Sequence, residues 1–154
     1  FETRKVMSTI DELKRKIANL KSRMKDECDQ LEKLAEQKSN DPDNAETILH
    51  DRTNRIQQTF NTSFEEIRQD MKRRKPHRSE QNYEQKERTY VEFVNQLTSP
   101  DGPLEQLGNW FKSLFNKLTE IIITIIRWLA EAIVEYVTKK IHDLFKSIMV
   151  FFTL

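Results

Sequence analysis

Three histidines, one cysteine and 25 Asp or Glu are the side chains of this 154-residue sequence with the chemistry to serve catalysis or a metal ion. Their spacing argues against both uses. His50, His77 and His142 are widely scattered, and no HExxH, CxxC, GxSxG or glycine-rich phosphate loop occurs. Glu46 and His50 stand four apart, but a metal site needs three or four donors and none other lies near in sequence, so the pair reads as a solvated ion pair. Glu131 and Glu135 beside Arg127 read as an i,i+4 salt bridge in a polar stripe rather than as an acid pair. Cys28 has Lys25 nearby, which would lower its pKa, yet it reads as a structural thiol. The expectation is no enzyme: no catalytic residue, no cofactor, no metal and no small-molecule substrate.

One run is strongly basic. Lys72, Arg73, Arg74, Lys75 and Arg78 flank Pro76 and His77, enough charge to neutralise several phosphates in a salt-sensitive manner or to meet anionic lipid headgroups. No aromatic residue interrupts it, so base stacking has no support, and a solvated basic loop is preferred over nucleic-acid contact. Asn61-Thr62-Ser63 fits the glycosylation acceptor pattern, but it lies between Phe60 and Phe64 of an amphipathic segment and reads as a chance match.

The elements that must position these residues are helices. Only two glycines occur, far below the usual frequency of about 7%, which disfavours sandwiches, barrels and Rossmann units that turn often at positive φ. The net charge of +1 gives no global pull towards nucleic acid or acidic lipid. A single cysteine makes no intramolecular disulfide, and Phe1 in place of an initiator Met points to a processed or truncated product.

Charge divides the chain. Residues 1–102 hold 20 basic and 20 acidic side chains, residues 103–154 only six and five, and both tryptophans lie in the second part. The boundary, Thr98-Ser99-Pro100-Asp101-Gly102-Pro103, is a turn by composition. Weaker breaks at 39–43 and 75–76 leave four helical segments, near 4–38, 44–74, 80–98 and 104–152.

In the first segment, Val6, Ile10, Leu13, Ile17, Leu20, Met24, Leu31 and Leu34 alternate steps of four and three, a coiled-coil seam of about four heptads. Lys14, Lys16, Lys21 and Arg23 on its flanks would repel in a parallel homodimer, so the mate is a second segment of this chain, an antiparallel copy or an acidic helix. Residues 44–74 offer such a mate through Leu49, Ile56, Phe60, Phe64, Ile67 and Met71, with Glu65, Glu66 and Asp70 available to the basic flanks, and a short loop suits an antiparallel hairpin. Residues 75–103 read as a basic and polar linker with a short helix.

The last segment, 104–154, has an apolar arc wider than a surface helix needs: Trp110, Phe111, Leu114, Phe115, Leu118, Ile121, Ile122, Ile125, Trp128, Leu129 and Ile133. Glu120, Arg127, Glu131 and Glu135 make a narrow polar stripe along it. Ile121–Ile126 resembles a strand by local propensity, but the 3.6-residue period of the stripe predicts helix. The charges disfavour a simple transmembrane span. Such an arc must be buried, in an oligomer core or at a bilayer interface, with Arg127 then paired to Glu131 or to another chain's acid.

The expectation is therefore an all-α fold: coiled-coil-like N-terminal helices or a helical hairpin, followed by one long amphipathic C-terminal helix. The function that suits it is a structural, self-associating scaffold subunit, a homo-oligomer or part of a larger helical assembly, with membrane association as an accompaniment. The alternatives are a membrane-perturbing or pore-forming helical protein, and a nucleic-acid-associated structural protein working through residues 72–78.

Overall fold

A computed structural model describes residues 2–131 and 137–153, with side chains from residue 9 onward. The fold is all-α. Among the described residues, five α-helices, α1 (Glu2–Asn40), α2 (Ala45–Lys72), α3 (Tyr83–Thr98), α4 (Pro103–Ala130) and α5 (Val137–Lys146), are followed by a 3-10 turn (Met149–Phe152). The chain forms two compact units, Phe1–Leu20 with Asn61–Asn109, and Lys21–Phe60 with Trp110–Leu154. By these bounds α1, α2 and α4 each contribute a segment to both.

In the first unit the early part of α1 runs antiparallel to the late part of α2, as the ion pairs Lys16–Asp70 (3.1 Å) and Glu12–Arg74 (2.6 Å) show. Leu13, Leu20, Ile67, Met71, Phe93, Leu97, Leu104 and Leu107 are buried here. The turn between α3 and α4 depends on Gly102: a Cβ there would lie 2.5 Å from the Gln96 carbonyl oxygen and 2.7 Å from that of Leu97. Real Cβ atoms do not approach that closely, so the sequence break at 98–103 is held by a residue without one.

In the second unit the same antiparallel order recurs, with Arg52 of α2 bonding Gln30 and lying 3.9 Å from Glu27 of α1. The loop that reverses the chain places Asn44 at φ 60°, a conformation that asparagine tolerates better than most residues. Lys38 closes the end of α1 by donating to the Asp43 carbonyl at 3.2 Å. Phe60 stacks on Phe111 with centroids 3.9 Å apart and planes 4° from parallel. Thr53 is buried, and its hydroxyl donates to the Leu49 carbonyl at 2.8 Å, so it leaves no orphaned polar atom.

The α1 stripe differs from a heptad seam in detail. Leu13, Leu20, Met24 and Leu31 are buried, Ile10, Ile17 and Leu34 only half-buried, and Cys28 and Ala35, off the seam, are fully covered. Six steps from Leu13 to Ala35 give a period of about 3.7 residues, longer than the 3.5 of a left-handed supercoil. The Val6 side chain lies outside the described residues. Burial overrides charge at Cys28: the thiol is pushed up to about 12, chiefly because it is sealed from water and further by Asp29 and Glu27, and the opposing pull of the nearby Lys25 is outweighed.

The single C-terminal helix expected over 104–152 is instead α4, α5 and the 3-10 turn, with Glu131 already in a turn. The physical requirement is a contact. The Trp110 indole N–H donates to the Phe151 carbonyl at 2.8 Å, and the Trp110 and Phe152 rings meet edge to face at 5.7 Å. On one continuous helix those residues would stand roughly 60 Å apart, at 1.5 Å per residue. The β-branched run 121–126 is helical, and packing rather than local propensity decides it.

Candidate functional site

Phe111, Leu114, Leu118, Ile121, Ile122 and Ile125 are buried within the chain, while Trp110, Phe115, Trp128 and Leu129 are half-buried. Much of the arc that was expected to need a membrane or a second subunit is thus already covered. Burying each of these aliphatic side chains contributes about 2 kcal/mol. Among the described residues no helix is long and apolar enough to cross a membrane.

The polar stripe faces outward. Glu120, Arg127 and Glu131 are exposed, Glu120 pairs with Lys117 at 3.6 Å, and among the described residues Arg127 has no ion-pair partner. The expected buried Arg127–Glu131 pair is therefore absent from the fold, because the helix has a dry side broad enough to turn this stripe to solvent. Ile133 and Glu135 lie outside the described residues.

The basic run occupies the end of α2 and the turn after it. Pro76 cannot continue a helix and disfavours helical backbone before it, so α2 stops at Lys72 and unwinds through Arg74 and Lys75, whose N–H groups reach the Met71 and Lys72 carbonyls at 3.3 Å. Tyr90 of α3 donates its hydroxyl to the Lys72 carbonyl at 3.3 Å, holding α3 against this turn. Arg74 is committed to structure: it bonds Glu12, lies 3.8 Å from Asp70 and donates to Thr9 Oγ1 at 3.4 Å. Both carboxyls are held below their ordinary values, Glu12 chiefly by its hydrogen bond from Arg74 and Asp70 chiefly by that from Lys16.

Lys72, Arg73, Lys75 and Arg78 are exposed, and among the described residues none lies within ion-pair distance of a carboxylate, although the charge of Arg73 helps to hold Asp70 low. Arg73, Lys75, Pro76 and His77 line two clefts at once. One, of about 320 Å³, is completed by Thr9, Arg74, Lys86, Thr89, Tyr90 and Phe93, with Glu80 at its edge drawn to Lys86 at 3.8 Å. The other, of about 520 Å³, adds Lys72, Arg78, Tyr83 and Glu87. Half-buried tyrosines therefore stand beside the run in space, although none interrupts it in sequence. Their residue types were visible; their proximity required the α2–α3 reversal.

The fold also gathers a group that sequence spacing did not reveal. Glu32 and Glu36 of α1 meet His142 of α5, with His142 Nδ1 3.0 Å from Glu32 Oε2. Burial raises the Glu36 pKa, and the neighbouring Glu32 carboxylate raises it further. Glu46 and His50, the pair considered from sequence, gain no third donor among the described residues. No protein-family model, curated protein or solved structure matches this chain.

Proposed function

We propose that this chain is a non-enzymatic helical binding module that holds the phosphodiester backbone of a single-stranded nucleic acid on the basic turn at residues 72–78. The observation that carries the reading is the set of four exposed cations, Lys72, Arg73, Lys75 and Arg78, none within ion-pair distance of a carboxylate among the described residues, between two clefts that each contain a tyrosine. Arginine forks match phosphate oxygens bidentately, and lysine supplies compact positive charge. A cleft of about 320 Å³ is within the range that holds a small ligand, and Tyr90 and Tyr83 offer ring faces to unpaired bases. Bases in a duplex are not free to stack in this way, which favours a single strand.

The test is fluorescence anisotropy of a labelled oligothymidylate titrated with the full chain at several salt concentrations. Four phosphate contacts give a slope of log K against log salt of about −3. The combined variant Lys72→Gln, Arg73→Gln, Lys75→Gln and Arg78→Gln should flatten that slope and weaken binding at least tenfold. Equal binding by parent and variant refutes the reading, as does capture by phosphatidylserine vesicles without any capture of the oligonucleotide.

A second reading, the self-associating scaffold, rests on a smaller observation. Ile123 (46% exposed), Met149 (40%) and Val150 (59%) leave apolar surface in the second unit, and Val91 does so in the first. Sedimentation velocity of the parent and of Ile123→Lys with Val150→Lys tests it: a multimer that the variant dissolves supports assembly through these residues.

A further inference from the structure

The geometry points to a site for a divalent first-row transition ion, of which zinc is the type, at Glu32, Glu36 and His142. Glu32 and Glu36 are four residues apart on α1, so their carboxylates leave the same face of the helix. His142 comes from α5, in the same compact unit, and one ligand atom from each of the three residues lies within 4.8 Å of the others. The His142 Nδ1 to Glu32 Oε2 distance of 3.0 Å is already close to the edge of a coordination tetrahedron, about 3.3 Å for bonds near 2.0 Å. Glu36 is half-buried, and its carboxylate oxygen lies within 4.8 Å of the other two ligand atoms.

The donor set also selects the ion. Two carboxylates and one imidazole suit zinc, manganese or iron, whereas magnesium and calcium favour all-oxygen shells and copper(I) favours sulfur. Three protein ligands leave at least one position for water. The electrostatics agree: among the described residues neither carboxylate has a lysine or arginine within ion-pair distance, and the imidazole is the basic group that meets Glu32 directly, with Lys33 acting on Glu36 only from farther away. A divalent ion there would neutralise both carboxylates and tie α1 to α5.

The experiment titrates zinc into the chelator-treated 154-residue chain by calorimetry, with cobalt as a spectroscopic substitute and thermal melts with and without zinc. One ion per chain at micromolar zinc, tetrahedral or five-coordinate ligand-field bands with cobalt, and a higher Tm with zinc are expected. His142→Gln and Glu36→Gln should each weaken binding by at least the 10- to 100-fold that follows loss of an outer-sphere partner, and should abolish the zinc-dependent rise in Tm. His142 is exposed, so its variant retains the fold, which circular dichroism verifies. His50→Gln and His77→Gln should bind as the parent does. Absence of zinc binding by the parent overturns the assignment, as does undiminished binding by His142→Gln or loss of binding in His50→Gln or His77→Gln.

Discussion

The return of the C-terminal turn onto Trp110 is open to a double-mutant cycle. Trp110→Phe removes the indole N–H that donates to the Phe151 carbonyl at 2.8 Å and keeps an aromatic ring beside Phe152 and under Lys21 Nζ, 5.2 Å from the ring centroid. A neutral, partly buried hydrogen bond contributes about 1 kcal/mol. For a chain of this size that lowers Tm by about 2–4 °C. Trp110→Ala also loses the edge-to-face pair, the cation contact and ring burial, and should cost about 3–4 kcal/mol. The second leg of the cycle ends the chain at Ile148, which removes the acceptor and Phe152 together. In that background Trp110→Phe should cost almost nothing through this bond, so the coupling is about 1 kcal/mol. Guanidinium unfolding followed by far-ultraviolet circular dichroism measures all four chains without relying on tryptophan emission. Equal costs of Trp110→Phe in the two backgrounds, with coupling below about 0.5 kcal/mol, would refute the contact and restore a continuous C-terminal helix.

Three further outcomes follow from the packing and charges of the fold. Ile125→Ala, at a fully buried position, should cost about 2–5 kcal/mol, whereas Arg127→Ala, two residues on and exposed, should cost less than about 1 kcal/mol; chemical denaturation distinguishes them. Glu12 and Asp70 are depressed from ordinary values of 4.5 and 3.8, so the stability they contribute is present above those values and is lost as pH falls through the lower folded-state values. Arg74→Gln with Lys16→Gln should therefore flatten the acid limb of a stability–pH curve. Cys28 is displaced the other way, from 9.0 to about 12, so its contribution is complete below pH 9 and is lost as pH rises towards 12. A thiol reagent should label it slowly in the native chain and quickly in denaturant, and Cys28→Ala should remove this alkaline loss.

What the sequence determined by itself is the class of structure and most of its breaks. Scarce glycine, apolar residues recurring at helical spacing and the turn at 98–103 suffice for an all-α chain, because helix formation and termination respond to local backbone chemistry. The proximity of Asp70 to Lys16 was legible for a similar reason: a short loop between two amphipathic helices leaves an antiparallel pairing within reach of the loop. Tertiary structure alone decided what covers the apolar arc of α4. Hydrophobicity states that Leu114, Leu118 and Ile121 must leave water, but it carries no address, and segments of the same chain serve as well as a bilayer or a second subunit. The same reason separates Tyr90 from the basic turn, His142 from Glu32 and Trp110 from Phe151 in sequence, although each pair meets in space. Contacts across 18, 110 and 41 residues depend on where the chain reverses. Those reversals are set by the combined packing of all the helices, which no local period records.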